Sequence, residues 1–222
     1  MSDGHFSFAA FKGFWNMTDA APAVSPDNPC PFLRALVASG YVGGDVVPLS
    51  KIAETIALAS GEGGVGKIKV WMETFGVAQI ANGNPLRSLI SGAVLDELRD
   101  GPLDKRGAGS RILDVEAHVH ENEITRLASF GKDRPDGAGG TERGLNAGEI
   151  ATFMADNLKR AGDAARWYYP ILMKGEWPVL LNILGKGEGD ERYLSVAEVR
   201  TLFVERRLPD RIVARLPKPP AG

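Results

Sequence analysis

The sequence predicts an all-α fold, folded as a single globular multi-helix domain over residues 1–222, with little or no β. Three observations carry that expectation. Apolar residues recur at three- and four-residue spacing along most of the chain. Helix-start signals punctuate it, among them Asn146-Ala147-Gly148-Glu149 and Ser195-Val196-Ala197-Glu198, each a capping residue followed three positions later by Glu. No set of segments shows the two-residue alternation of half-buried strands. The chain has no internal repeat and no linker polar enough to divide it, so roughly seven to nine helices are expected around one core.

In chain order, residues 1–27 read as an irregular N-terminal arm. Phe6, Phe8, Phe11, Phe14 and Trp15 crowd it, so part of it is expected to pack onto the body. Four prolines between residues 22 and 31 then lead into Cys30 as an extended segment. Pro31 suits a first helical position, and Leu33, Leu36 and Val37 continue a helix that Gly40 stops. Ser50 caps a second helix from Lys51 to Ser60, with Ile52, Ile56 and Ala59 on one face. Gly61 to Lys67 has the glycine spacing of a phosphate loop. Ile68 stands where that loop needs Ser or Thr for Mg²⁺, and a helix rather than a strand precedes it, so a flexible linker is the better reading.

Further helices are expected over Val70 to Ala81 and over Leu86 to Leu98, the second with Leu86, Leu89, Ile90, Ala93, Val94 and Leu98 on one face. Glycines and charges crowd residues 131–144, which read as a long exposed loop. The helix opened at Asn146 runs to about Ala165, with Ile150, Phe153, Met154 and Leu158 inward. Trp167 to Pro170 ends it. Leu180 to Leu184 lies in another apolar helix, and the helix opened at Ser195 runs to about Arg207. Residues 217–222 form a proline-rich, frayed tail.

Composition narrows the function. A formal net charge of −2 argues against a basic nucleic-acid surface. No stretch reaches the ~18 apolar residues of a membrane span. The N-terminus lacks the basic and apolar regions of a signal peptide, and a single cysteine excludes an internal disulfide, so the cytoplasm is the expected compartment. A leader removed upstream would give the same reading.

Cys30, the sole cysteine, falls at or next to the N-cap of the first helix. The amides of Phe32 and Leu33 are expected to point at its sulfur, and the positive end of the helix dipole favours a thiolate. Such a thiolate is a nucleophile or a metal ligand; a lone cysteine is otherwise a small buried hydrophobe. A second cluster, Glu116 to Glu123, packs His118 and His120 among acids. It reads as a solvated helix face or as a non-heme metal site. His-x-His is a ligand pair when it lies on a strand, whereas this stretch reads as helical.

The run Asn28-Pro29-Cys30-Pro31-Phe32-Leu33-Arg34-Ala35-Leu36, closing on Gly40-Tyr41, resembles the proximal loop of heme-thiolate peroxidases, the family of chloroperoxidase and the unspecific peroxygenases. The resemblance implies a fold of that all-α type, with heme b as cofactor and Cys30 as the axial iron ligand. Phe32, Leu33 and His118 would also line the cofactor site. It implies a distal acid–base site as well. Aligned on Thr125-Arg126, His120 takes the place of the family's motif histidine and Glu121 that of the acid after it. Glu176, in Gly175-Glu176-Trp177-Pro178, takes the place of the acid–base glutamate before an apolar helix.

In that scheme Glu176 moves a proton from one peroxide oxygen to the other, and His120 orients it. The partners would be hydrogen peroxide and a small organic substrate, or halide. Val119 stands where the family carries a glutamate that helps hold a divalent cation beside a heme propionate. Valine cannot ligate, so the resemblance does not extend to that cation, although Glu123 falls at a further ligand position. A heme sensor or carrier without enzymatic activity is the alternative; it would keep Cys30 and have no use for Glu176.

Overall fold

The computed structural model describes residues 23–80, 83–100, 104 and 108–219; of residues 71, 76, 77, 79, 80, 100 and 171–176 only the backbone is described. The aromatic arm lies outside the described residues.

The architecture is mixed α and β, which overturns the all-α expectation. Nine α-helices are described: α1 (Pro31–Ala38), α2 (Leu49–Ser60), α3 (Gly64–Ile80), α4 (Pro85–Ser91), α5 (Glu121–Phe130), α6 (Ala147–Ala161), α7 (Tyr169–Leu184), α8 (Val196–Phe203) and α9 (Asp210–Val213). Strands β1 (Val46–Val47) and β2 (Ala93–Val94) pair antiparallel. Strands β3 (Lys132–Pro135), β4 (Thr141–Asn146), β5 (Gly185–Lys186) and β6 (Tyr193–Ser195) form an antiparallel sheet in the order β3-β4-β6-β5.

The strands escape sequence reading because they are two to six residues long, too short for an alternating apolar pattern, and in the four-stranded sheet the cross-strand side-chain bonds centre on Glu142. Residues 131–144 are the clearest case: the expected loop is the β3–β4 hairpin, with Lys132 opposite Gly144 and Pro135 opposite Thr141. Asp136 turns it by accepting the amides of Ala138 and Gly140. Glu142 of β4 then binds three neighbours. Its carboxylate accepts from Tyr193 Oη (2.8 Å), Ser195 Oγ (2.5 Å) and Lys186 Nζ (2.6 Å).

The helix over Leu86 to Leu98 is also corrected. It stops at Ser91, and Leu95–Asp100 continues as a 3₁₀ turn after β2. Gly92, at φ 92°, makes the break; a Cβ there would sit 2.5 Å from the Val47 carbonyl oxygen. Residues 64–67, read as linker, are the first turn of α3, after Gly61 closes α2 in the left-handed conformation. Residues Tyr169 and Pro170 open α7 rather than end a helix.

Other signals are met. Asn146 and Glu149 form the reciprocal capping box, and the Ser195 side chain accepts the Glu198 amide. One core gathers Phe32 and Leu36 of α1, Ile52 of α2, Ile150 and Phe153 of α6, Leu184 of α7, and Leu202 of α8. Trp177 of α7 meets Phe153 edge-on at 5.2 Å and stacks on Phe203 at 6.5 Å. Among the described residues, no helix is long and apolar enough to cross a membrane.

Candidate functional site

Cys30 is the N-cap residue of α1, in extended conformation, with Pro31 at the first helical position. It is partly buried and packs against the core. The Cys30 amide donates to Asn28 Oδ1 at 3.0 Å. The expected contact from the first-turn amides to sulfur is not made, because the side chain accepts no capping hydrogen bond. Phe32 and Leu33 turn their side chains into the core.

Two buried arginines hold the segment that leads into Cys30. Arg34 Nη1 donates to the carbonyls of Ser25 (2.7 Å) and Asn28 (3.3 Å). Arg99 Nη2 donates to the carbonyls of Pro26 (2.9 Å) and Asp114 (3.2 Å), and its amide donates to Asp27 O. Arg34 is 2% exposed and Arg99 8%, and neither has a carboxylate partner among the described residues. Arg99 Nε is buried with no hydrogen-bond partner. Burial lowers the pKa of the Arg34 guanidinium, the charges of Arg206 and Arg99 lower it further, and the neighbouring Cys30 acts in the opposite direction. Buried cations beside the Cys30 lead-in favour negative charge there.

Through Arg99 the same segment is tied to the histidine stretch. Residues 111–120 are not helical. They form a tight hairpin, bridged at Leu113 and Val119, in which the His120 amide donates to Ile112 O. Ala117, at φ 64°, makes the reversal. Side chains alternate on the return arm: Val119 packs on the core, while His118 and His120 point outward. Asp114 gathers both. Its Oδ1 accepts the His118 amide at 2.7 Å, and its Oδ2 lies 3.2 Å from His118 Nδ1 and 3.2 Å from His120 Nε2. Partial burial raises the Asp114 pKa, but the His118 amide and both imidazoles outweigh it and hold the carboxyl below its ordinary value. The carboxylate fixes the orientation of both rings. Ligand atoms of Asp114, Glu116 and His118 also lie within 4.8 Å of one another.

His120 caps α5, and the rest of the motif is committed elsewhere. Glu121 pairs with Arg200. Glu123, which falls at the family's further cation-ligand position, is buried and grips Arg160 in a bidentate pair (2.8 and 2.7 Å). Arg160 holds its carboxyl below the usual range against the effect of burial. Glu123 therefore does not replace what Val119 lacks. Arg126 donates to Asp156 (2.7 Å) and to Asn157, and lies over the rings of Phe153 and Phe130. The backbone of Glu176 lies inside α7, not before an apolar helix, next to the buried Trp177. The Glu176 side chain, and with it the expected pairing with His120, lies outside the described residues.

The structure thus brings Cys30, through its lead-in, into one framework with His118 and His120. Asp114, Arg99 and Arg34 hold that framework, and the sequence reading singled out none of them. An Asp four and six residues before the two histidines was the available signal. An open groove of about 400 Å³ near Asn146, Asn182 and Arg192 contains none of these residues. No protein-family model matches the chain, and no curated protein or solved structure matches it.

Proposed function

We propose that the chain is a heme-thiolate peroxidase or peroxygenase, with Cys30 as the ligand of heme iron. The observation that carries this reading is the placement of Cys30 at a helix N-cap beside the buried Arg34 and Arg99, neither with a carboxylate partner among the described residues. The three sequence motifs, found in order along the chain, support it. A heme bound through a thiolate favours cleavage of the peroxide O–O bond. The chain supplies the rest. Arg34 and Arg99 hold the Cys30 lead-in in place and offset negative charge there. Asp114 orients His118 and His120. Glu176 takes the proton of one peroxide oxygen and returns it to the other.

Heme titration of the purified protein tests the assignment. Uptake of heme and its loss of thiolate ligation in Cys30→Ala are expected. Glu176→Gln should keep heme but lose peroxide turnover by ~10²–10⁴-fold. Unchanged turnover in that variant would favour a heme carrier or sensor. A protein that takes up no heme overturns the reading.

The hairpin supports a second reading. A helical context would weigh against a His-x-His metal site, but both histidines lie on an extended arm, although the chain's one further histidine is His5 of the N-terminal arm. Asp114, Glu116 and His118, with His120 beside them, offer oxygen and nitrogen ligands to a divalent cation such as Zn²⁺ or Mn²⁺. Calorimetric titration with either ion, compared in Asp114→Asn, tests it.

A further inference from the structure

Helices α3 and α4 carry apolar side chains that nothing described covers. On α3, Val65, Ile68 and Met72 follow one another at three- and four-residue spacing and are 83%, 60% and 64% exposed. On α4, which packs against α3, Leu86, Leu89 and Ile90 are 73%, 54% and 84% exposed. A helix apolar on several sides is normally buried, and contiguous exposed apolar surface marks a binding site. Elsewhere in the described fold the large apolar residues are mostly inside, so the exposure is concentrated on these two helices.

We infer that this face is the docking site of the chain's own aromatic arm, residues 6–15. The first argument is where the described chain begins. Val24 packs on the core, and the carbonyls of Pro26 and Asp27 are held by Arg99. Arg99 ends the 3₁₀ turn whose Glu97 pairs twice with Arg87 of α4, at 2.7 and 2.9 Å. The arm therefore joins the body beside α4. The second argument is reach. Nine residues separate Trp15 from Val24 and span up to about 30 Å when extended. A helix the length of α3 is about 25 Å long and one the length of α4 about 10 Å, so both are within range.

The third argument is composition. Residues 6–15 hold five aromatic side chains, Phe6, Phe8, Phe11, Phe14 and Trp15, and a single charged one, Lys12. That is a large apolar payload with little cost of burying charge. Docking would cover Ile68, Met72, Leu86 and Leu89 and would anchor the Cys30 lead-in from its upstream side.

Photo-crosslinking tests this in the full chain. With p-benzoylphenylalanine replacing Phe11, dilute protein should give intramolecular crosslinks to the peptides that carry Ile68 and Met72 or Leu86 and Leu89. Crosslinks to other parts of the chain overturn the proposal. Crosslinks between chains that rise with protein concentration also overturn it, because they make a second copy the occupant. Methionine oxidation gives an independent readout. Met72 should oxidise several-fold faster in the triple variant Phe8→Ser, Phe11→Ser, Trp15→Ser than in the parent, while the partly buried Met154 is unchanged. Equal Met72 oxidation in the two proteins counts against docking.

Discussion

Arg99 shows how one buried side chain can set the geometry of two distant motifs. Its Nη2 bonds the carbonyls of Pro26 and Asp114, 88 residues apart in sequence, so that the Cys30 lead-in and the histidine hairpin share one anchor. Hydrogen bonds from a charged donor are worth more than neutral ones, and the cost of burying the guanidinium offsets part of that gain. Arg99→Met is expected to lower stability by about 1–3 kcal/mol in urea unfolding and to weaken heme retention with Cys30 intact. The exposed Arg87–Glu97 pair is the control, because Arg87→Met should change stability by only about 0.5 kcal/mol. Neither role was legible in the sequence. Nothing in the local sequence marks Arg34 or Arg99 as an anchor, and only their burial reveals the role. Cys30 was legible as an N-cap because Pro31 fixes the helix start locally. Asp114 was not, because its role depends on a reversal at Ala117, a residue with no turn signature.

Among the elements, helix boundaries with chemical caps were readable and the short strands were not. The Asn146–Glu149 box fixes the start of α6 through side chains three positions apart. The sheet depends on Glu142, whose partners Lys186, Tyr193 and Ser195 lie more than forty residues away. Burial raises the Glu142 pKa, but the bonds from Lys186, Ser195 and Tyr193 prevail and hold it below its ordinary value. A depressed carboxyl contributes stability that is fully present above the unfolded pKa, about 4.3, and is lost as pH falls through the folded value. Glu142→Gln should therefore lower stability at neutral pH by about 2–4 kcal/mol and flatten the acid limb of a stability–pH curve. A variant as acid-sensitive as the parent would show that Glu142 is not the hub.

Burial, with the Glu142 bond, pushes the Tyr193 hydroxyl up to about 12, so its contribution persists at neutral pH and fails only in strong base. The break after α4 has its own test. Gly92 and Gly139 have similar φ, 92° and 93°, but a Cβ at Gly92 would strike the Val47 carbonyl and one at Gly139 would meet nothing within 4 Å. Thermal or urea unfolding should show that Gly92→Ala costs about 1–3 kcal/mol more than Gly139→Ala.

For the whole molecule, the sequence patterns located the core helices but missed how the sheet completes the body. Trp177 illustrates the gain: read as a residue flanking a site, it is instead wedged between Phe153 of α6 and Phe203 of α8. The backbone of Glu176 thus sits on a helix whose next residue is fixed in the core. That helix, the Asp114 hairpin and the Cys30 N-cap make up the proposed site, which stands or falls on the bond from Cys30 to heme iron. The most direct measurement is the optical spectrum of the ferrous carbon monoxide adduct of the heme-loaded protein, taken for the parent and for Cys30→Ala. Thiolate ligation predicts the strongly red-shifted Soret band of a heme-thiolate protein in the parent and its loss in the variant. A band typical of imidazole-ligated heme in the parent, or the same spectrum in both proteins, would contradict the account.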